Sequence, residues 1–392
     1  MLTKNIFFQS FRLKNLKTKF HKNFISILKK EIKDERNLLY SFTNKYKNSY
    51  KQNYINILKK NFSIINIIGM GGSILGSKAI HFFLIDKINK KINFLDNLIN
   101  YRNNSFQKSR SLNLIISKSG NTLETIVNSN LVIKKNDKNL IITENRQNYL
   151  KTLASKLKIE VVDHKNYIGG RYSVLSEVGM LPAELMGLKA IKFRRLNNLV
   201  NDSKFIKLLC DNVEKTLSLI KKKKLNSIIL NYDDKSENLF KWYQQLISES
   251  LGKKSKGILP VISNMPKDNH SLMQLYLDGP KNNFFTFFHV FDKKSNFINK
   301  KYLFSKFKFL NKKRVSDIIY VQKKATQNIF IKKNIPFRNF EIINRNEEAL
   351  GELFCFFVLE TILLGRALNV NPFDQPSVEL IKKETKSIFI KN

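Results

Sequence analysis

The sequence predicts an α/β protein with two three-layer αβα domains, mainly parallel sheets and a C-terminal helical tail. Apolar strand-like runs alternate with helical patterns, and the second half repeats this alternation more faintly. A chain of 392 residues with 42% hydrophobic content is large enough for two hydrophobic cores. We expect an N-terminal helical segment at 1–55, a first domain at 56–200, a second domain at 201–335 and the tail at 336–392.

The elements follow from local patterns. Residues 1–55 are polar and contain neither glycine nor proline, which favours helix. An apolar run at 62–68 ends in the glycine cluster GMGGSILG, and a helical pattern follows it. Further apolar runs predict strands at 112–116, 140–142, 160–162, 227–230, 284–290 and 315–320. Helices are expected at Glu237–Leu251 and Glu347–Asn369, with a terminal helix after the turn NPFDQP.

Cysteine content and hydropathy bear on location. Two cysteines cannot build a disulfide framework, and Cys355 lies in an apolar run where a buried, inert thiol is expected. The longest apolar run, 353–364, is too short to span a bilayer and is interrupted by Glu360. We therefore expect a cytoplasmic protein without a membrane partner.

The charge is strongly basic, with 70 Lys and Arg residues against 31 Asp and Glu and a net charge of +39. Such a charge attracts anions, including sugar phosphates and nucleic acids. The lysines are spread along the chain together with many asparagines and isoleucines, so a compositional bias is favoured over a specific nucleic-acid partner. The alternative, a nucleic-acid-binding protein, predicts steeply salt-dependent binding to nonspecific duplex.

Two loops at strand-to-helix junctions have the composition of anion sites. The first carries Gly72 and Ser73 but fits neither a dinucleotide fingerprint nor a P-loop, since Ile74 replaces the third glycine and the order is Gly76-Ser77-Lys78. Backbone N–H groups at the following helix start favour an anion or a hydroxyl-rich ligand, although a plain tight turn is the alternative interpretation.

The second loop, SKSGNTLET, is richer in hydroxyl groups. Ser117, Ser119 and Thr122 surround Gly120, with Lys118 among them, and a plain helix cap accounts for only one hydroxyl. We therefore expect a phosphate monoester to bind here. Asn121 and Glu124 have the spacing of a capping box, which predicts the helix start at this point.

Candidates for acid–base chemistry lie further along the chain. Glu249 interrupts an uncharged helical run with Gln245 one turn earlier, and His270 follows it in a chain with five histidines. Arg171 follows two glycines, where its fixed positive charge could stabilise an oxyanion. Gln375 and Lys382 lie two turns apart in the tail. Neither cysteine has metal-ligand spacing.

Together these segments resemble the glucose-6-phosphate isomerase family, whose members contain two sugar-isomerase-type domains. The matching segments occur in the family's order and are GMGGSILG, SKSGNTLET, GGRYSVLSEVGMLPAEL, WYQQLISESLGKKSKGILPV, DNHSLMQLYLDGP and NPFDQPSVELIK. GGRYSVLS, the ESLGK block and NPFDQPSVE are close to diagnostic, whereas the two loop motifs also occur in other sugar-phosphate-binding domains.

The resemblance implies a role for each residue. Glu249 matches the base that moves a proton between C1 and C2 through a cis-enediolate, and Arg171 matches the residue that stabilises the enediolate charge. His270 matches the histidine that helps to open the sugar ring, and Lys382 matches the lysine at the ring oxygen. The substrate and phosphate contacts implied are Gly72, Ser73, Ser117, Lys118, Ser119, Thr122, Gln245 and Gln375. No metal or redox cofactor is implied.

The implied reaction is the interconversion of D-glucose 6-phosphate and D-fructose 6-phosphate in a homodimer, with His270 reaching the neighbouring subunit's site. Many family members have a Thr-rich phosphate loop, whereas relatives that accept mannose 6-phosphate also carry Ser-Gly-Asn-Thr. A dual phosphoglucose/phosphomannose isomerase is therefore the alternative within the same class. The alternative from another class is a sugar-phosphate-sensing regulator that has lost catalysis, which we expect to lack the base.

Overall fold

The computed structural model describes residues 1–13, 28, 33–98, 111–134, 137–292 and 294–391, and its strands form two five-stranded sheets. The strands are β1 (Ile6–Gln9), β2 (Ile64–Gly69), β3 (Lys91–Leu95), β4 (Ser111–Ile116), β5 (Lys138–Glu144), β6 (Glu160–His164), β7 (Asn226–Asn231), β8 (Leu259–Asn264), β9 (Asn283–Val290) and β10 (Phe337–Ile342). The α-helices are α1 (Gln52–Asn61), α2 (Leu75–Phe83), α3 (Leu123–Val132), α4 (Tyr149–Leu157), α5 (Glu177–Leu185), α6 (Ala190–Phe193), α7 (Leu196–Asn201), α8 (Ser203–Lys221), α9 (Glu237–Leu251), α10 (Met273–Asp278), α11 (Val315–Lys332), α12 (Glu347–Ala367) and α13 (Pro376–Lys391).

The first sheet is entirely parallel, in the order β3-β2-β4-β5-β6. Its central strands are Ile- and Leu-rich and buried, because helices cover both faces of a parallel sheet. An asparagine ladder crosses four of the strands. The Nδ2 groups of Asn93, Asn66 and Asn113 donate to the Oδ1 atoms of Asn66, Asn113 and Asn139 over 2.8, 2.8 and 2.9 Å. The ladder satisfies these amides inside the core.

The second sheet has the order β8-β7-β9-β10-β1, and its first four strands follow the same chain order as β3-β2-β4-β5 of the first sheet. Its last strand, β1, runs antiparallel to β10, whereas the other neighbours are parallel. The predicted fold class, two α/β units with mainly parallel sheets and a C-terminal helix, is confirmed.

Three sequence expectations were wrong in detail. Within 1–55, residues 6–9 form a strand rather than helix, since they pair with β10 at the edge of the second sheet. Within the tail at 336–392, residues 337–342 are strand β10. The strand expected at 315–320 is the first part of α11, in which the apolar positions continue with helical spacing to Phe330. Part of the 1–55 expectation lies outside the described residues.

Helix α9 is placed between the two sheets. It packs on α2 of the first unit and on β8 and α12 of the second. Trp242 is 1% exposed and its ring lies 4.8 Å from that of Phe354, centroid to centroid. This burial fixes the helix that carries Glu249.

The two cysteines bear on a further expectation. Cys210 and Cys355 are both free and buried, and burial raises the pKa of the Cys210 thiol to about 12. The prediction of a buried Cys355 is confirmed. Within the described part of the chain, every helix is too short or too polar to cross a bilayer.

Candidate active site

The glycine loop after β2 lies directly against the segment that carries Arg171. A Cβ atom on Gly72 would come within 2.3 Å of the Gly170 carbonyl carbon, so this approach requires glycine. Gly71 has a φ of +52°, and a Cβ there would lie 2.8 Å from Nε2 of Gln245. The loop therefore meets both Arg171 and helix α9.

The guanidinium of Arg171 is the centre of the site, and the residue is 2% exposed. Its acceptors are Ser250 Oγ at 2.8 Å from Nε, Glu249 Oε2 at 3.2 Å from Nη1, Gln375 Oε1 on Nη1, and the carbonyl oxygens of Pro372 and Asp374 at 2.6 and 2.9 Å from Nη2. A guanidinium has five N–H donors, so each has an acceptor here. Arg171 is consequently a fixed positive charge beside the Glu249 carboxylate.

The Glu249 carboxylate is held at both oxygens and is still open to a ligand. Oε1 accepts a 2.8 Å hydrogen bond from Nε2 of Gln245, which lies one turn earlier on the same face of α9. Oε2 faces Arg171, and the side chain is 24% exposed. A carboxylate oriented in this way can take up and return a proton, as general base catalysis requires.

The hydroxyl-rich loop lies at the same carboxyl edge of the sheet as the glycine loop, because β4 and β2 are neighbours with Ile116 opposite Gly69. The Oγ of Ser117 is 3.0 Å from the Oγ1 of Thr122 and accepts from the Gly120 N–H at 3.2 Å. The Oγ of Ser119 accepts from the backbone N–H of Asn121 at 3.2 Å. The hydroxyls of Ser117 and Thr122 therefore lie together, whereas the Ser119 hydroxyl is bound to its own turn.

Two details of this loop differ from expectation. The N-cap of α3 is Thr122, and the Oδ1 of Asn121 accepts instead from the backbone N–H of Tyr149 at 3.0 Å. The Lys118 ammonium is engaged away from the hydroxyls, with the Asn166 carbonyl at 2.9 Å and the Glu144 carboxylate at 3.3 Å. Any phosphate contact from Lys118 in this conformation would come from its backbone.

Two predicted residues stand outside this cluster. His270 ends a short 3₁₀ turn, Lys267–His270, after β8 and is exposed. Lys382 lies on α13, where its ammonium pairs with Glu379 at 2.6 Å. Among the described residues, neither one hydrogen-bonds to the Arg171–Glu249 cluster. One chain by itself brings together Glu249, the predicted base, and Arg171, but not the ring-opening candidates His270 and Lys382.

Sequence reasoning missed several groups that hold Arg171. Ser250 and the carbonyls of Pro372 and Asp374 bind the guanidinium directly. The Tyr172 hydroxyl lies 2.9 Å from the Oγ of Ser250 and donates to the Pro372 carbonyl at 2.8 Å. Burial raises the pKa of Tyr172. All lie inside the ESLGK, GGRYS and NPFDQP blocks, but backbone carbonyls have no side-chain signature.

The fold is of the sugar isomerase type. No cluster of metal-ligating side chains occurs in the described residues. The phosphoglucose isomerase family model matches residues 30–391. The chain belongs to the phosphoglucose isomerase family and is an isomerase. This confirms the resemblance found in the sequence.

Named relatives and solved structures agree with this assignment. A glucose-6-phosphate isomerase of Methanocaldococcus jannaschii is 33% identical over 81% of this chain and 82% of its own. One from Campylobacter jejuni is 31% identical over 83% of this chain and 84% of its own. In fold, the chain is similar to a hypothetical protein from Thermus thermophilus, with a TM-score of 0.79 at 20% identity, covering 97% and 99% of the two chains. A glucose-6-phosphate isomerase from Chlamydia trachomatis gives 0.68 at 19% identity, covering 96% and 76%.

Proposed function

We propose that the protein interconverts D-glucose 6-phosphate and D-fructose 6-phosphate. The observation that carries this proposal is the Glu249 carboxylate, fixed between Gln245 and Arg171, both of which lie against the glycine loop at the carboxyl end of β2. The hydroxyl loop at that edge supplies donors for a phosphate. The relatives named glucose-6-phosphate isomerase support the same substrate pair.

The proposed reaction needs only proton transfers. After ring opening, in which we assign roles to His270 and Lys382, Glu249 removes the proton from C2 of the open aldose. The hydroxyl proton of O2 moves to O1, and the resulting cis-enediolate takes the proton back from Glu249 at C1. The charge of Arg171 stabilises the enediolate without a metal or redox group. Substrate contacts are proposed for Gly72, Ser73, Ser117, Lys118, Ser119, Thr122, Gln245 and Gln375.

A coupled assay of purified protein tests the proposal. We expect conversion of fructose 6-phosphate to glucose 6-phosphate, with mannose 6-phosphate added as a competing substrate. Turnover of mannose 6-phosphate at a comparable rate would favour the dual isomerase. Tight binding of fructose 6-phosphate without any conversion would contradict the enzyme and favour the sensing regulator.

We also propose a homodimer with shared active sites. The exposed positions of His270 and Lys382 support it, since both lie on the surface of one chain. Helix α13 has no buried residue and exposes the apolar side chains Leu380, Ile381, Ile388, Phe389 and Ile390. So many exposed apolar side chains on one helix need a covering partner.

Mixing two inactive variants tests the shared site. In a heterodimer of Glu249→Gln and His270→Gln, one site carries both substitutions and the other carries none. Equal mixing with subunit exchange is therefore expected to restore about a quarter of the wild-type activity, since half of the C₂ dimers are mixed. Sites that are complete within one chain would give no recovery, and a monomeric mass in solution would contradict the dimer directly.

The remaining parts of the proposal concern organisation and location. We propose two sugar-phosphate-binding domains divided near residue 200, with β1 completing the second one. We further propose a cytoplasmic protein whose partner is a small-molecule sugar phosphate rather than a specific nucleic acid. The two free, buried cysteines support a reducing compartment.

A further inference from the structure

The position of the Arg171 guanidinium depends on the turn at residues 371–375. Nη2 donates to two carbonyl oxygens of this turn, those of Pro372 and Asp374, and Nη1 donates to Gln375. Three of the five donors of Arg171 therefore end on this one turn. If the turn moved, the charge next to Glu249 and the Gln375 amide would move with it.

Lys253 holds this turn in place. Its ammonium contacts the Asp374 carboxylate at 2.7 Å and also donates to the Asn371 carbonyl. Inside the turn, Asn371 donates to the second oxygen of Asp374 at 3.0 Å and accepts from the Phe373 N–H at 3.0 Å. The Lys253 side chain is only 12% exposed, so its surroundings restrict the ammonium to this position.

Lys253 also belongs to the segment that carries the base. It lies two residues after the end of α9, and its backbone N–H donates to the Leu251 carbonyl at 2.8 Å. The side chain thus joins the C-terminal end of the Glu249 helix to the turn that binds Arg171. The ammonium itself makes no contact with Glu249 or Arg171 among the described residues.

We propose that Lys253 is a positioning residue for the isomerisation, which locks the 371–375 turn onto α9 so that Arg171 and Gln375 stay aligned with Glu249. The proposal rests on the proposed isomerase function. Displacement of reacting groups by about 1 Å can lower a rate by about 100-fold. The loop Ser117–Thr122 lies on a different element and stays intact, so the rate should suffer more than substrate affinity.

The test compares Lys253→Met with Lys253→Arg and with a control, Lys254→Met, at the exposed neighbouring lysine. We expect Lys253→Met to lower kcat about 10- to 100-fold with KM for fructose 6-phosphate changed less than about threefold. Lys253→Arg keeps the charge and the donors and should recover most of kcat. Lys254→Met should match wild type. Hydrogen exchange of residues 369–376 should speed up in Lys253→Met alone.

A second variant separates the effect of the Lys253–Asp374 ion pair from a general effect on folding. Asp374→Asn removes the ion pair but keeps the carbonyl that Arg171 uses, so kcat should fall less than in Lys253→Met. The double variant should be no slower than Lys253→Met, because both changes break one interaction. Losses of kcat that add up in the double variant would overturn the proposal, as would a loss of kcat that only reflects the fraction of unfolded protein.

An unchanged kcat in Lys253→Met, together with an active wild type, refutes the role of Lys253 but not the isomerase function. No turnover in the wild type refutes the isomerase function and, with it, the catalytic role of Lys253.

Discussion

Glu249→Gln is expected to lower kcat by about 10²- to 10⁴-fold while the substrate still binds. Glutamine has the size of glutamate and its amide oxygen can still accept from Arg171, but it cannot accept the C2 proton. The side chains that hold the sugar phosphate lie on other elements, with the hydroxyl loop at the end of β4. The loss should therefore fall on turnover rather than on affinity.

Steady-state kinetics and calorimetric binding of fructose 6-phosphate measure the two quantities separately. Glu237→Gln is the matched control, since it makes the same chemical change on the first turn of the same helix α9. It should keep wild-type kcat. Near-wild-type turnover in Glu249→Gln would refute the assigned base, and an equal loss of binding would indicate a disrupted fold instead.

Arg338→Met is expected to destabilise the protein by about 3–5 kcal/mol, because it leaves a buried carboxylate without its cation. Arg338 pairs with Glu360, and their side chains are 2% and 1% exposed. The arginine also binds Thr286 at 2.9 Å and the hydroxyl of Tyr243 at 3.2 Å. Tyr243 lies on α9, so the network supports the inner face of the helix that carries Glu249.

Urea unfolding measures this effect. The double variant Arg338→Met/Glu360→Leu should recover most of the loss, since replacing a whole buried ion pair by apolar groups is often neutral. Lys333→Met, which removes one partner of an exposed pair with Asp278, should leave the free energy of unfolding close to wild type. A double variant as unstable as Arg338→Met would show that the hydrogen bonds, not the unpaired charge, dominate.

Local sequence patterns predicted the central part of the fold well. The helix expected at Glu237–Leu251 has these bounds in the structure, and the runs at 112–116 and 284–290 are strands. The apolar positions of these elements follow the spacing of a strand or a helix over their whole length. The strand expected at 315–320 was wrong because a short apolar run fits either element, and only the longer register to Phe330 defines the helix.

Non-local pairing explains the error near the N-terminus. Residues 6–9 have no strong strand signal of their own, and they become a strand because β10 offers an open edge 330 or more residues later. Residues 337–342 become a strand inside the expected helical tail because they pair in parallel with β9. Interactions over such separations are absent from any local window of sequence.

Residue types and motifs alone predict the components of the site: a carboxylate, an arginine, a hydroxyl-rich loop and the blocks that resemble one family. How these groups meet depends on the folded chain. Folding brings Arg171, Glu249 and Gln375 together from three distant segments. All five N–H groups of Arg171 then have acceptors, and two of these acceptors are backbone carbonyls. Backbone carbonyls are the same in every residue, so the fold alone can reveal that this turn holds the charge in place.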